Sequence, residues 1–272
     1  MSENWHELDD EKRNIGREIL ADCIHALMFL TRLPVKLPEG MTLPPLAQSA
    51  RAFGVVGLLI GALSGLLGWI GFGLGLPSLA AAGLAVGFAI MLGGAMQEDG
   101  FADVADGFWG GHERARKLEI MRDSRIGAYG VLALVLLLVL RISLAQALLM
   151  QGGPWLVLGL AGAGALGRGL MARLMAQLPP ARTDGLSASS GQPSAKIARQ
   201  SLIFAVIVAG ICFVISGGLL GAALGLALGF GAAEAISRLS RKHIGGQTGD
   251  VCGALSASVE LASLAGLVMA LS

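Results

Sequence analysis

A chain of 272 residues that is 54% hydrophobic and only 14% charged carries far less charge than the roughly 25% of an ordinary soluble domain. That balance, with a mean hydropathy of +0.69, excludes a water-soluble core in a polar shell and names lipid as the solvent. Lys plus Arg (20) nearly equal Asp plus Glu (19), so no basic excess marks the chain for nucleic acid.

The first residues are acidic (Glu3, Glu7, Asp9, Asp10, Glu11) and have no basic region ahead of an apolar core, so no cleaved secretory signal is expected. Residues 16–33 form an amphipathic stretch carrying Ile19, Leu20, Ile24, Leu27, Met28 and Leu30. It is too charged to span easily and reads as a helix that lies on the membrane or re-enters it.

Seven spans are expected beyond it, at about 51–75, 78–97, 127–150, 154–178, 200–216, 219–238 and 251–271. Each approaches the ~20 apolar residues that cross a bilayer. The fold class is therefore all-α, a polytopic integral membrane bundle forming a single domain over 1–272. The connections near 76–78, 151–153 and 217–218 are short and uncharged, whereas 1–50, 98–126, 179–199 and 239–250 hold nearly all the Lys and Arg. Short basic loops stay cytoplasmic, and seven spans place every charged segment inside and Ser272 outside. Polar chemistry on one face suits an enzyme better than a transporter, which needs polar groups reaching across.

Arg141, Arg168, Arg173, Glu234 and Glu260 fall within spans, where an ionisable group costs about 2.5–3.5 kcal/mol on insertion scales unless paired or near water. Arg168 and Glu260 are each about ten residues from the cytoplasmic end of their spans and are expected to pair or to line one polar cavity. Arg141 has no partner that the sequence names. The cysteines (Cys23, Cys212, Cys252) lack metal or redox spacing.

An acidic loop, Glu98 to Asp106, follows the second span. Asp99, Asp103 and Asp106 are spaced i, i+4, i+7, which at ~100° per residue places them on one helical face. Glu98 lies at its edge. Like charges so placed repel, and a hard cation such as Mg²⁺, which bridges carboxylates to phosphates, would compensate. The plain alternative is a solvated acidic helix end. Gly107, Gly110 and Gly111 follow, then Arg114, Arg116, Lys117, Arg122, Asp123 and Arg125. Arg suits bidentate phosphate contact, though basic loop residues also anchor membrane helices. The last polar loop, Gly245-Gly246-Gln247-Thr248-Gly249-Asp250, offers backbone N–H groups to an anion, with Asp250 an alternative helix N-cap.

Four segments together resemble the cobalamin synthase family: Phe29-Leu30-Thr31-Arg32-Leu33-Pro34-Val35, Glu98 to Gly107, Ile120-Met121-Arg122-Asp123-Ser124-Arg125-Ile126-Gly127, and Gly245 to Asp250. Phe101, Gln97 and Arg122 depart from the family's usual Leu, His and Lys. The resemblance implies joining of adenosylcobinamide-GDP to α-ribazole or its 5′-phosphate, with release of GMP, in the bacterial inner membrane with the site on the cytoplasmic side. It implies Mg²⁺ as cofactor, held by Glu98, Asp99, Asp103 and Asp106. Asp103, Asp106 and Arg125 would be catalytic, and Arg32, Arg122, Asp123, Gly246, Thr248 and Asp250 would bind substrate. The partners are the two small molecules and the bilayer, with a homo-oligomer left open. A membrane phosphotransferase of the CDP-alcohol type is the nearest alternative, although its DGxxAR spacing is absent.

Overall fold

The computed structural model describes residues 3–185 and 189–272 and, among them, ten α-helices and no strand. The helices are α1 (Glu3–Leu30), α2 (Leu46–Ser49), α3 (Phe53–Gly73), α4 (Ser78–Gly93), α5 (Met96–Gly110), α6 (Arg114–Ile120), α7 (Ala128–Gln151), α8 (Gly153–Gln177), α9 (Ala195–Ile244) and α10 (Gly249–Met269).

The centre of the bundle is α8, which is buried along most of its length and packs mainly on α3, α9 and α10. Small residues make this possible. On α3, Gly57, Gly61 and Gly65 recur every four residues, and a Cβ on any of them would enter the backbone of α8. Without a hydrophobic drive between helices in lipid, such close approach of backbones supplies the packing energy.

The outer helices carry the lipid face. Ile203, Ile207, Ile211 and Ile215 of α9 repeat every four residues and are all exposed, as are Leu132, Leu136 and Leu140 of α7. An apolar stripe of this kind has no stable place in water. The chain is a multi-pass α-helical membrane protein.

Five helices are long and apolar enough to cross a bilayer, and α4 with α5 makes a sixth if that bent pair counts as one span. Two expectations change here. The span expected at 78–97 stops at Gly93, and the chain then turns by 88° into α5. The spans expected at 200–216 and 219–238 join as α9, whose 50 residues are interrupted at Gly218 (φ 65°, ψ −167°). Unbroken, such a helix would measure roughly 75 Å, more than twice the ~30 Å hydrocarbon layer.

Candidate active site

The site is built on the bend between α4 and α5. Gly94 (φ 64°) and Ala95 (φ 59°) are both left-handed, a conformation that costs a residue with a Cβ about 1–2 kcal/mol. Arg32 stands over this bend: its N–H donates to the Leu92 carbonyl at 2.8 Å, and its side chain fills the space a Cβ on Gly94 would need. Glu98 to Asp106 is helical, as the i, i+4, i+7 spacing of its aspartates implied.

The first turns of α5 lie across the N-terminus of α10. A Cβ on Gly100 would overlap the backbone of Asp250, and one on Gly253 would crowd Met96 and Gln97. This crossing brings Asp99 and Asp103 beside Asp250, close enough for Asp250, Asp99, Asp106 and Arg182 all to act electrostatically on Asp103. Asp250 is not the N-cap of α10. Thr248 holds that place, its Oγ1 accepting from Val251 N at 3.3 Å and donating to Asp250 Oδ2 at 3.2 Å.

The four acids of α5 divide. Asp99 is exposed and Asp103 half-buried, and no hydrogen bond or ion pair engages either among the described residues. Asp106 is buried and engaged at both oxygens: Gly127 N–H donates to its Oδ2 at 2.7 Å and Gly130 N–H to its Oδ1 at 2.9 Å. It satisfies orphan donors in the first turn of α7, as a capping side chain does. A Cβ at Gly127 or Gly130 would overlap the carboxylate. Glu98 faces the bundle interior, where Arg141 Nη1 donates to its Oε1 at 2.6 Å. Arg141 continues to Glu260 at 3.0 Å and Arg168 pairs with Glu260 at 2.7 Å. Arg168 and Glu260 pair as expected, and Arg141 gains two partners that the sequence did not name. Glu98 and Asp106, expected as metal ligands, are each engaged by other groups as well, while Glu98 Oε2 has no hydrogen-bond partner among the described residues.

The basic residues also sort. Arg125 is exposed and folds back on Asp123 at 2.7 Å, holding that carboxyl at about 2, below its ordinary range. Arg122 pairs with Asp184, whose carboxyl it holds low. A cleft of about 570 Å³ opens here, lined by Asp106, Arg116, Arg122, Asp123 and Arg125. Sequence reasoning missed Arg182. Its Nη2 donates to the Leu118 carbonyl at 2.8 Å, and it faces Asp250 and Asp103, with burial pulling its guanidinium below the usual range. The only sequence signal was an Arg-Thr-Asp-Gly run in a charged loop.

Gly246, expected to bind substrate, also has a packing role. It lets two loops close on each other, since a Cβ there would meet Pro179 and Ala181. Gln247 N–H donates to the Pro179 carbonyl at 2.8 Å, Ala181 N–H to the Gln247 carbonyl at 2.8 Å, and Arg114 staples both loops through Ile244 and Ala181 carbonyls. The loop is thereby held against Arg182.

No three Asp, Glu, His or Cys side chains among the described residues converge into a metal cage. Asp99, Asp103 and Asp250 instead present a few hard oxygen donors, and no ion pair engages them among the described residues. That is a donor set Mg²⁺ accepts when substrate phosphates and water complete its shell.

All four segments that carry the resemblance therefore meet around α5. The family model described as cobalamin-5-phosphate synthase matches residues 22–268. The chain belongs to the cobalamin-5-phosphate synthase family. Relatives named adenosylcobinamide-GDP ribazoletransferase include one from Azorhizobium caulinodans, 44% identical over 92% of this chain and 96% of its own length. Others from Bradyrhizobium diazoefficiens and Brucella ovis are 41% and 39% identical over 91% and 93% of this chain and 93% and 98% of their own. No solved structure matches the chain. For this family member, the match begins within α1 and ends near the last turn of α10, so it takes in every residue of the site.

Proposed function

We propose that the chain joins adenosylcobinamide-GDP to α-ribazole or its 5′-phosphate, forming adenosylcobalamin or its phosphate and releasing GMP, as the names of its relatives indicate. The observation that carries this reading is the meeting of Asp99, Asp103 and Asp250 from two separate helices between an Arg-lined cleft and a second, more enclosed cavity.

The ribazole hydroxyl oxygen attacks the phosphorus bonded to the cobinamide arm. A new P–O bond forms, the P–O bond of the diphosphate bridge to the guanosine half breaks, and GMP leaves with the electron pair. The hydroxyl proton needs an acceptor. Asp106 already accepts a backbone N–H at each oxygen, whereas no hydrogen bond engages Asp103 among the described residues, which favours Asp103 for that role. Arg182 beside Asp103 and Asp250, with Arg122 and Arg125 at the cleft, meets the charge that builds on the phosphoryl oxygens. Mg²⁺, when bound, fits Asp99, Asp103 and Asp250 and would neutralise the diphosphate.

The reaction takes place on the cytoplasmic face of the bacterial inner membrane. Reading the break at Gly218 as the turn between two crossings, and α4 with α5 as one, restores seven crossings and puts the Lys- and Arg-rich segments on a single side. Purified protein in lipid nanodiscs, given adenosylcobinamide-GDP, α-ribazole and Mg²⁺, is expected to release GMP with formation of the joined product. Failure to release GMP from that mixture sinks the reading.

A further inference from the structure

A cavity of about 180 Å³ lies between the start of α5, the C-terminal end of α8 and the start of α10. That is the liquid volume of about six waters at ~30 Å³ each. Its walls are Phe29, Phe53, Met171 and Met175. The two phenyl rings are stacked, 6.2 Å apart and 14° from parallel. Water gains little from such walls, and a flat aromatic group gains area, offset stacking and sulfur contacts.

Two amide side chains, Gln97 and Gln247, also line this cavity, and they are only 3% and 1% exposed. The Nε2 of each has no hydrogen-bond partner among the described residues. Gln247 Oε1 accepts from Cys252 Sγ at 3.6 Å, which leaves its amino end for something else. Buried orphan donors are costly, and both amides belong to residues of the cavity wall. Asp99 and Asp250 line the same cavity, so a group seated there leads directly onto the acidic face.

We infer that this cavity receives the heterocyclic base of the acceptor nucleoside, a flat bicyclic base with an apolar carbon edge and a free ring nitrogen that only accepts. This rests on the reading of function above. Beside the carboxylates of Asp99 and Asp250, the cavity offers amides, thioethers and ring faces. Guanine, whose own donors Asp99 and Asp250 can accept, is the competing occupant, and the separate KM values distinguish the two. With the benzimidazole-type base of α-ribazole inside, its ring nitrogen takes an orphan amide donor and its ribose extends toward Asp99, Asp103 and Asp250.

Steady-state kinetics in nanodiscs, varying each substrate in turn, test this on Met175→Phe, which fills the cavity, and Gln247→Leu, which removes a donor at nearly equal volume. The KM for α-ribazole is expected to rise about tenfold or more in each, the scale of one lost buried hydrogen bond or comparable packing. The KM for adenosylcobinamide-GDP should stay within about twofold. A rise confined to adenosylcobinamide-GDP, or no change in either KM, overturns the inference. Should Met175→Phe fail to fold, Gln247→Leu and Gln97→Leu decide it. If wild-type protein releases no GMP at all, it is the reading of function that has failed, and the variants are then compared by equilibrium dialysis with α-ribazole. Equal binding by wild type and Gln247→Leu in that assay overturns the inference independently.

Discussion

Asp103 and Asp106 sit one turn apart on the same face of α5, yet their surroundings give them different work. Asp106 is an acceptor for two backbone N–H groups of α7, whereas Asp103 has only charges near it. Asp103→Asn should therefore lower turnover by about 10² or more, the scale of a lost general base, with thermal unfolding in detergent unchanged. Retained turnover would remove Asp103 from the chemistry. Asp106→Asn should instead cost about 1 kcal/mol of stability, as the loss of a capping acceptor does, because an amide turns one donor toward another. Its signature is a lower melting temperature together with residual activity. The i, i+4, i+7 face was legible from spacing alone. What each acid touches was not, because Gly127 and Gly130 lie 21 and 24 residues further on, and periodicity within one helix says nothing of such partners.

At the scale of elements, the site depends on how α5 is laid across α10. The turn at Gly94 and Ala95 swings α5 by 88° from α4, and the missing side chain at Gly100 lets the backbone of Asp250 come within contact. Gly100→Val should push the helices apart, cost roughly 1–3 kcal/mol as an overpacked interface does, and lower kcat by separating Asp103 from Asp250. The check is a paired measurement of melting temperature and GMP release. A variant with wild-type kcat would mean that Asp250 contributes nothing at its observed distance. Neither the bend nor the crossing could be read from the sequence. Hydropathy runs smoothly from Ser78 past Gly93, so the span was expected to continue to 97. A left-handed pair leaves no mark on hydropathy. The outer stripe of Ile203, Ile207, Ile211 and Ile215 is the opposite case, since a helix in lipid must show its apolar face.

The whole molecule is tied together by a chain of charges through its middle. Glu98 on α5, Arg141 on α7, Glu260 on α10 and Arg168 on α8 form three ion pairs in series. All four side chains are buried, and two acids against two guanidinium groups leave no net charge. Pairing is what makes such groups tolerable in a membrane interior. It also couples α5 to the bundle, because one oxygen of Glu98 links the active-site helix into the series. Half of this was legible: Arg168 and Glu260 stand at equal depth in their spans. Glu98 was not, because its neighbours in sequence are the aspartates of the site. Removing one member should be severe. Arg141→Met leaves Glu98 unpaired and one Glu260 oxygen bare, a loss of about 3–5 kcal/mol for a broken buried pair. Adding Glu98→Gln restores neutrality, and most of that loss should be recovered, since Arg168 still holds Glu260. The double variant also separates two roles for Glu98. As a partner of Arg141 it can be neutralised with turnover largely retained, whereas as a metal ligand it cannot. Melting temperatures for the two single variants and the double variant give the coupling between the pair, and GMP release from the double variant at saturating Mg²⁺ reports which role Glu98 has.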